Sequence, residues 1–214
     1  MKRLSVRTPD ASVSAVLSGD GEPLLVLAHG AGGSIDSPFL EGVAEGLAEH
    51  EVASLRFNFP YREQGRGAPD REPVLRRTWA AVFEHAATLR RTVWAGGGSM
   101  GGRIASMEVA DGLPAAGLLL IAYPLHPPGR PERLRAAHLA GIEVPTIVIQ
   151  GTRDAFARWD LLTRAIERSG APITLHVVEG ADHSFRVPGT KRDDLAQGRE
   201  IGRIAGGFVR AHAY

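Results

Sequence analysis

A short motif near the middle of the chain contains a serine in a setting suited to nucleophilic chemistry. Residues 97–101 read GGSMG and match the pattern G-x-S-x-G, in which a serine occupies a sharp turn between a strand and a helix. The segment before the motif is apolar and β-prone, the segment after it has a helical pattern, and the flanking glycines allow close packing. The motif therefore predicts Ser99 as a nucleophile, with the Met100 N–H beside it as a donor for a developing oxyanion.

Two further residues have the chemistry that such a serine requires. A serine hydroxyl is a weak nucleophile at neutral pH and needs a base within hydrogen-bond reach. His183 is the candidate base, because an ordinary histidine pKa of about 6.5 suits proton exchange near neutrality. Asp154 is the candidate acid, which would accept the second ring N–H, fix the tautomer and stabilise the imidazolium. We therefore expect a catalytic triad of Ser99, Asp154 and His183.

The same residues have other interpretations that the sequence leaves open. Asp154 could instead cap a helix predicted to begin near residue 157. Asp182 is a rival acid, although side chains of adjacent residues such as Asp182 and His183 point apart. His183 could also be an ordinary loop histidine.

A competing motif overlaps the serine motif. Residues 96–101 also fit G-x-G-x-x-G, a dinucleotide-binding pattern, which requires an acidic residue at the end of the next strand. The next predicted strand, 116–123, has no acidic residue at its end, so the pattern does not favour a dinucleotide. The chain also lacks a phosphate-binding G-x-x-x-x-G-K-[ST] motif and any metal-ligand spacing. We therefore expect neither a cofactor nor a metal.

Composition narrows the class of protein. The 214 residues predict a single domain, 1–214, and a net charge of +1 gives no indication of a nucleic-acid partner. The absence of cysteine excludes disulfides, thiolate metal sites and a cysteine nucleophile. No apolar run reaches about 18 residues and the N-terminus is not a secretory signal, so we expect a cytoplasmic protein without membrane contact. The oligomeric state stays open.

The order of apolar runs and helical patterns defines the elements that must position these residues. Strands and helices alternate along most of the chain, which predicts an α/β fold with a mostly parallel sheet and helices on both faces. No insertion is large enough for a lid domain. The predicted strands are 4–8, 12–17, 24–28, 52–57, 92–95, 116–123, 146–150 and 173–178, and the helices are 37–49, 73–89, 103–110, 131–140, 157–169 and 193–212.

In such a sheet, functional residues gather at the carboxyl ends of the strands, and the three candidate catalytic residues follow strands there. Tyr123 follows a strand at the same edge and is a candidate for substrate contact. The loop 58–73 also leaves this edge and contains Arg62, which could bind an acidic group of the substrate. The alternative for this loop is a solvated surface segment.

Three segments carry a resemblance to a known family. They are residues 56–61 (RFNFPY), 123–129 (YPLHPPG) and 150–154 (QGTRD), and they accompany a serine, an aspartate and a histidine in the chain order of an α/β-hydrolase triad. Together they resemble the α/β-hydrolase superfamily over nearly the whole chain. The resemblance is to the compact, lidless branch related to dienelactone hydrolases, which also includes a hydrolase-like subunit of the non-specific-lethal complex.

The resemblance implies a function and completes the predicted site. By similarity to His-Gly-x loops in the superfamily, the Ala31 N–H would be the second oxyanion donor, with His29 shaping the loop. The implied activity is hydrolysis of a small ester or thioester through an acyl-enzyme, at a site left open by the absence of a lid. The main alternative is a protein of this fold that acts as a binding or scaffold subunit, and a peptidase or acyltransferase using the same triad is a further one.

Overall fold

All strands of the structure belong to one eight-stranded sheet. The computed structural model describes residues 1–213. The strands are β1 (Lys2–Arg7), β2 (Ser12–Ser18), β3 (Pro23–Ala28), β4 (Ala53–Phe57), β5 (Thr92–Gly98), β6 (Leu118–Ile121), β7 (Thr146–Gly151) and β8 (Ile173–Val178). They lie in the order β1-β2-β4-β3-β5-β6-β7-β8. β2 pairs antiparallel with β1 and with β4, and the pairs from β4 to β8 are parallel.

Helices cover both faces of this sheet. They are α1 (Pro38–Ala48), α2 (Pro60–Glu63), α3 (Glu72–Ala87), α4 (Met100–Ala110), α5 (Trp159–Ser169) and α6 (Asp194–His212). Val43 of α1 and Ile201 of α6 belong to one buried cluster, whereas Trp79 of α3 and Ile104 of α4 belong to the other. The mostly parallel sheet with helices on both faces is therefore confirmed. Residues 1–213 contain no separate lid domain.

The central strands are buried along their whole length. Every residue of β3, β4 and β7 is buried, as expected for parallel strands that are covered on both faces. This burial explains the continuous apolar sequences of β3 and of residues 147–149 in β7, whereas β4 also buries Ser54 and Arg56. Because the strands from β4 to β8 are parallel, the carboxyl ends of β3, β5 and β7 lie at the same edge of the sheet.

Two segments differ from the sequence prediction. The helix expected near 131–140 is only a 3-10 helix, Ala137–Gly141, and the preceding residues 124–136 have no regular structure. The N–H of Arg135 donates to Leu125 O and its carbonyl accepts the Tyr123 hydroxyl, so tertiary contacts occupy groups that a helix would use. The segment 58–73, predicted as a loop, contains the single turn α2, which starts at Pro60, a residue favoured in the first turn of a helix.

None of the helices within residues 1–213 combines the length and the apolar character that a membrane span requires.

Candidate active site

Ser99 occupies the turn between β5 and α4 in a strained backbone conformation. Its φ of 48° and ψ of −115° lie outside the regions that a non-glycine residue normally adopts. A Cβ on Gly97 would lie 2.5 Å from Ala28 O, and one on Gly101 would lie 2.6 Å from the same oxygen. Only glycine allows β5, β3 and α4 to approach this closely. The strand-turn-helix geometry predicted from the motif is therefore present.

Ser99, Asp154 and His183 converge at the carboxyl ends of three strands. The Ser99 hydroxyl lies 2.9 Å from His183 Nε2, and His183 Nδ1 lies 2.7 Å from Asp154 Oδ2. Because a carboxylate accepts, Nδ1 carries the proton and Nε2 is free to accept from the serine hydroxyl. Asp154 is only 4% exposed, so little water competes for its carboxylate. The structure thus brings together the three residues predicted as a triad.

The carboxylates of Asp154 and Asp182 both accept backbone N–H groups of their own turns. Asp154 Oδ1 accepts the Phe156 N–H at 2.7 Å, so the carboxylate also stabilises the turn before α5 while its other oxygen faces His183. Asp182 Oδ1 accepts the N–H groups of Ser184 and Arg186, at 2.8 and 3.0 Å. The Asp182 side chain therefore stabilises its own turn and does not contact the histidine ring.

The loop after β3 passes close to Ser99. Gly30 O accepts His29 Nδ1–H at 2.7 Å and the Gly33 N–H at 3.0 Å. Since the C=O and N–H of a trans peptide point in opposite directions, the Ala31 N–H points away from His29. A Cβ on Gly30 would lie 3.4 Å from Ser99 Cβ, so this peptide passes close to the nucleophile.

The Ala31 and Met100 N–H groups are both available as donors. Among the bonds of residues 1–213, neither N–H donates to another group. Met100 begins α4, where the first N–H groups of a helix lack intrahelical partners. The Tyr61 hydroxyl donates to Ala31 O at 2.7 Å and anchors the following peptide. The two predicted oxyanion donors thus have no competing partners within residues 1–213.

His29 is a neutral, buried anchor of this loop. It is 2% exposed, and burial lowers the pKa of its imidazole to about 4. Its Nε2 accepts the Phe59 N–H at 3.2 Å, which leaves the proton on Nδ1 for Gly30 O. The ring therefore uses both nitrogens to connect the loop to β4, in agreement with the shaping role expected for it.

A cavity of about 530 Å³ opens above Ser99. This volume lies within the range of small-molecule sites. Phe39 and Phe185 stack with ring centroids 5.8 Å apart, and Phe156 lies against the His183 ring at 4.2 Å. The lining residues are His29, Gly30, Ala31, Gly32, Gly33, Ser37, Phe39, Leu40, Gly98, Ser99, Ile121, Ala122, Phe156, His183, Ser184, Phe185, Arg186, Arg192 and Asp194.

The two residues expected to contact substrate do not line this cavity. Tyr123 is 2% exposed and its hydroxyl donates to Arg135 O at 2.6 Å, and burial raises the pKa of this hydroxyl. Arg62 lies near His29, where its positive charge helps to lower the pKa of that ring. Substrate contacts by Arg62 and Tyr123 stay predictions. The arginines on the cavity wall are Arg186 and Arg192, and Arg192 is paired with Asp194.

Two residues with clear roles in the site were missed by the sequence analysis. Gln150 donates to Asp154 Oδ2 at 2.6 Å, and Phe156 packs on the His183 ring. A glutamine at the end of an apolar strand was the available signal for the first, since a buried amide needs partners. Nothing in the sequence distinguishes Phe156 from other aromatic residues. Within residues 1–213, no group of three or more His, Asp or Glu side chains could hold a metal ion.

The fold and this site define an α/β hydrolase with a serine, histidine and aspartate at the carboxyl edge of its sheet. Residues 21–210 match the profile of a family described as an alpha/beta hydrolase domain, and the chain belongs to this family. The resemblance to the α/β-hydrolase superfamily is therefore confirmed.

Solved structures with the same fold are distant in sequence. A serine hydrolase without a lid from Xanthomonas campestris is 21% identical, with 98% of this chain and 94% of that chain covered and a TM-score of 0.76. A dienelactone hydrolase from Anabaena variabilis is 19% identical, with 99% and 97% covered and a TM-score of 0.76. Est1E from Butyrivibrio proteoclasticus, solved with ferulic acid, is 15% identical, with 98% and 99% covered and a TM-score of 0.78.

Proposed function

We propose that this protein is a serine hydrolase that cleaves small esters or thioesters through an acyl-enzyme. The observation that carries the proposal is the continuous hydrogen-bonded series from the Ser99 hydroxyl to His183 and on to Asp154, over 2.9 and 2.7 Å. Ser99 also lines an open cavity, and the N–H groups of Ala31 and Met100 have no other partner within residues 1–213. Family membership and the fold support a hydrolase, and the geometry of the three side chains supports the finer assignment.

In the first half of the reaction, the Ser99 oxygen attacks the carbonyl carbon of the substrate while His183 Nε2 takes the hydroxyl proton. The carbonyl oxygen becomes an oxyanion, which the N–H groups of Ala31 and Met100 stabilise. The C–O or C–S bond to the leaving group then breaks, and the leaving group takes the proton from His183. The product is an ester between Ser99 and the acyl group.

In the second half, water takes the place of the leaving group. His183 removes a proton from the water, which attacks the acyl-enzyme carbonyl, and the same two N–H groups stabilise the second oxyanion. Collapse of this intermediate returns the proton to Ser99 and releases the carboxylic acid. Asp154 stays ionised throughout and stabilises the imidazolium that forms in both halves.

The cavity supports a small acyl group. Its volume of about 530 Å³ and its phenylalanine side chains suit a short or aromatic acyl group more than a long lipid chain. The scaffold alternative predicts no need for an aligned proton pathway or for free oxyanion donors. The aligned hydrogen bonds of Ser99, His183 and Asp154 and the unpartnered N–H groups of Ala31 and Met100 support the hydrolase over this alternative. A cytoplasmic location stays a prediction.

Hydrolysis of p-nitrophenyl esters and acyl thioesters with chains of two to eight carbons tests the proposal. We expect the wild type to cleave short chains fastest, and the Ser99→Ala and His183→Ala variants to lose activity by about 10⁴-fold or more.

Ser106→Ala is the matched control, because its hydroxyl lies 2.8 Å from His138 Nε2 but is fully buried within α4. We expect this variant to retain wild-type activity. A folded wild type that cleaves none of these substrates would reject the hydrolase function and favour the scaffold role.

A further inference from the structure

Gln150 is a fully buried side chain at the end of β7, next to the catalytic acid. Its Oε1 accepts the Tyr123 N–H at 2.7 Å, and its Nε2 donates to Asp154 Oδ2 at 2.6 Å. If the amide were rotated by 180°, its NH₂ group would face the Tyr123 N–H and its oxygen would face the Asp154 carboxylate, and neither pair could form a hydrogen bond. The side chain is therefore fixed in the one orientation that aims a donor at Asp154.

The Asp154 carboxylate is surrounded by donors. Oδ2 accepts from Gln150 Nε2 and from His183 Nδ1, at 2.6 and 2.7 Å, and Oδ1 accepts the Phe156 N–H at 2.7 Å. Each of these bonds places a donor against a carboxylate oxygen, which can only accept when ionised. Together the three hydrogen bonds fix the orientation of the Asp154 carboxylate, with Oδ2 directed at His183.

Strand packing alone does not account for a glutamine at this position. The three preceding residues of β7 are Ile147, Val148 and Ile149, and all of them are buried. A buried amide costs folding free energy unless both of its ends are bonded. The Tyr123 N–H needs only an acceptor, so the donor end of Gln150 is explained by the Asp154 carboxylate.

We propose that Gln150 is a positioning residue of this active site, which orients Asp154 Oδ2 toward His183 and draws negative charge from it. It acts through Asp154 and contacts neither Ser99 nor the cavity. By sharing the charge of Asp154, it sets how strongly His183 holds the proton that it takes from Ser99. The inference rests on the proposed function for the catalytic effect, but the effect on the histidine is independent of turnover.

Two substitutions separate this role from simple packing. Gln150→Met keeps the size of the side chain and removes both hydrogen bonds. Gln150→Glu keeps the shape and the acceptor for Tyr123, but its carboxyl donates to Asp154 only while it is protonated. Thr146→Val is the matched control, because Thr146 is buried at the opposite end of the same strand, about 13 Å away at the rise of a β-strand.

The first measurement is an NMR pH titration of the His183 ring in the Ser99→Ala background, which needs no turnover. In Gln150→Met we expect the midpoint to move to higher pH than in Thr146→Val, because Asp154 then keeps more of its charge for the histidine. His126 also bonds this segment, through its N–H to Phe156 O and its Nε2 to the Arg158 N–H, so its resonances are assigned separately. A His183 midpoint equal to or lower than that of Thr146→Val would overturn the proposal.

The second measurement is the pH profile of ester hydrolysis. We expect Gln150→Met to lower kcat by up to about 10²-fold with little change in KM, as for a misplaced catalytic group. Gln150→Glu should retain more activity on the acid side and lose it as the new carboxyl ionises. A profile of unchanged shape in both variants contradicts the proposal. If the NMR midpoint moves but the wild type cleaves no ester, the positioning role stands and the hydrolase function fails.

Discussion

Ser99 and His183 are 84 residues apart in the chain, yet the Ser99 hydroxyl donates to His183 Nε2 over 2.9 Å. The contact depends on β5 and β8, because each residue follows one of these parallel strands at the same edge of the sheet. The ring can accept from the serine only because Asp154 holds the proton on Nδ1. The contact between Ser99 and His183 therefore predicts that activity depends on the Asp154 carboxylate.

Replacing the acid by its amide should nearly abolish turnover without unfolding the protein. An amide at this position cannot stabilise the imidazolium by charge, so we expect Asp154→Asn to lower kcat by about 10³- to 10⁴-fold on a p-nitrophenyl ester. Asp160→Asn is the control, because Asp160 is an acid paired with Arg158 in the first turn of α5. A loss of less than tenfold for Asp154→Asn would contradict the assigned role.

The buried His29 predicts how stability depends on pH. Burial lowers its pKa from 6.5 to about 4, so between these values the unfolded chain binds a proton that the folded chain does not. The free energy of unfolding should therefore fall as the pH falls from 6.5 toward 4, by up to about 3 kcal/mol from this residue. Urea unfolding at pH 7.5 and pH 4.5 measures the difference, and His29→Gln should lose less stability across this interval. Equal losses in the two proteins would remove His29 as the cause.

Two neighbouring glycines should respond differently to a methyl group. In Gly97→Ala the new Cβ lies 2.5 Å from Ala28 O, a backbone atom that cannot move without shifting β3. We expect a loss of about 1–3 kcal/mol or more in the free energy of unfolding. In Gly98→Ala the new Cβ meets nothing within 4 Å, and the thermal midpoint should change little. Thermal unfolding of both variants checks this, and a similar loss in the two would contradict the packing account of the turn.

Substitution of two arginines tests whether the site prefers an anionic substrate. Arg186 lines the cavity, whereas Arg62 does not. We expect Arg186→Ala to raise KM for an anionic ester, such as a hemisuccinate, about two- to fivefold relative to a neutral ester of equal length. Arg62→Ala should leave this ratio unchanged. A selective loss in Arg62→Ala would instead support the sequence-based prediction that Arg62 binds an acidic group.

Much of the fold was predictable because buried parallel strands have an unambiguous sequence pattern. The segments that became β5, β7 and β8 end shortly before Ser99, Asp154 and His183, so these three residues could be assigned to one edge of the sheet. The segment 124–136 was not predictable, because long-range bonds from Tyr123 and Leu125 to Arg135 replace the local helical pattern. Gln150 and Phe156 were missed for the same reason, since their roles depend on contacts across strands.

The measurement that tests the central claim most directly is fluorophosphonate labelling followed by peptide mass spectrometry. Fluorophosphonates react with an activated serine without requiring knowledge of the substrate. We predict a single adduct on Ser99 in the wild type, full labelling in Ser106→Ala, and none in folded Ser99→Ala or His183→Ala. Absence of an adduct on folded wild-type protein, or an adduct at Ser99 that persists at full rate in His183→Ala, would contradict a nucleophile activated by this histidine.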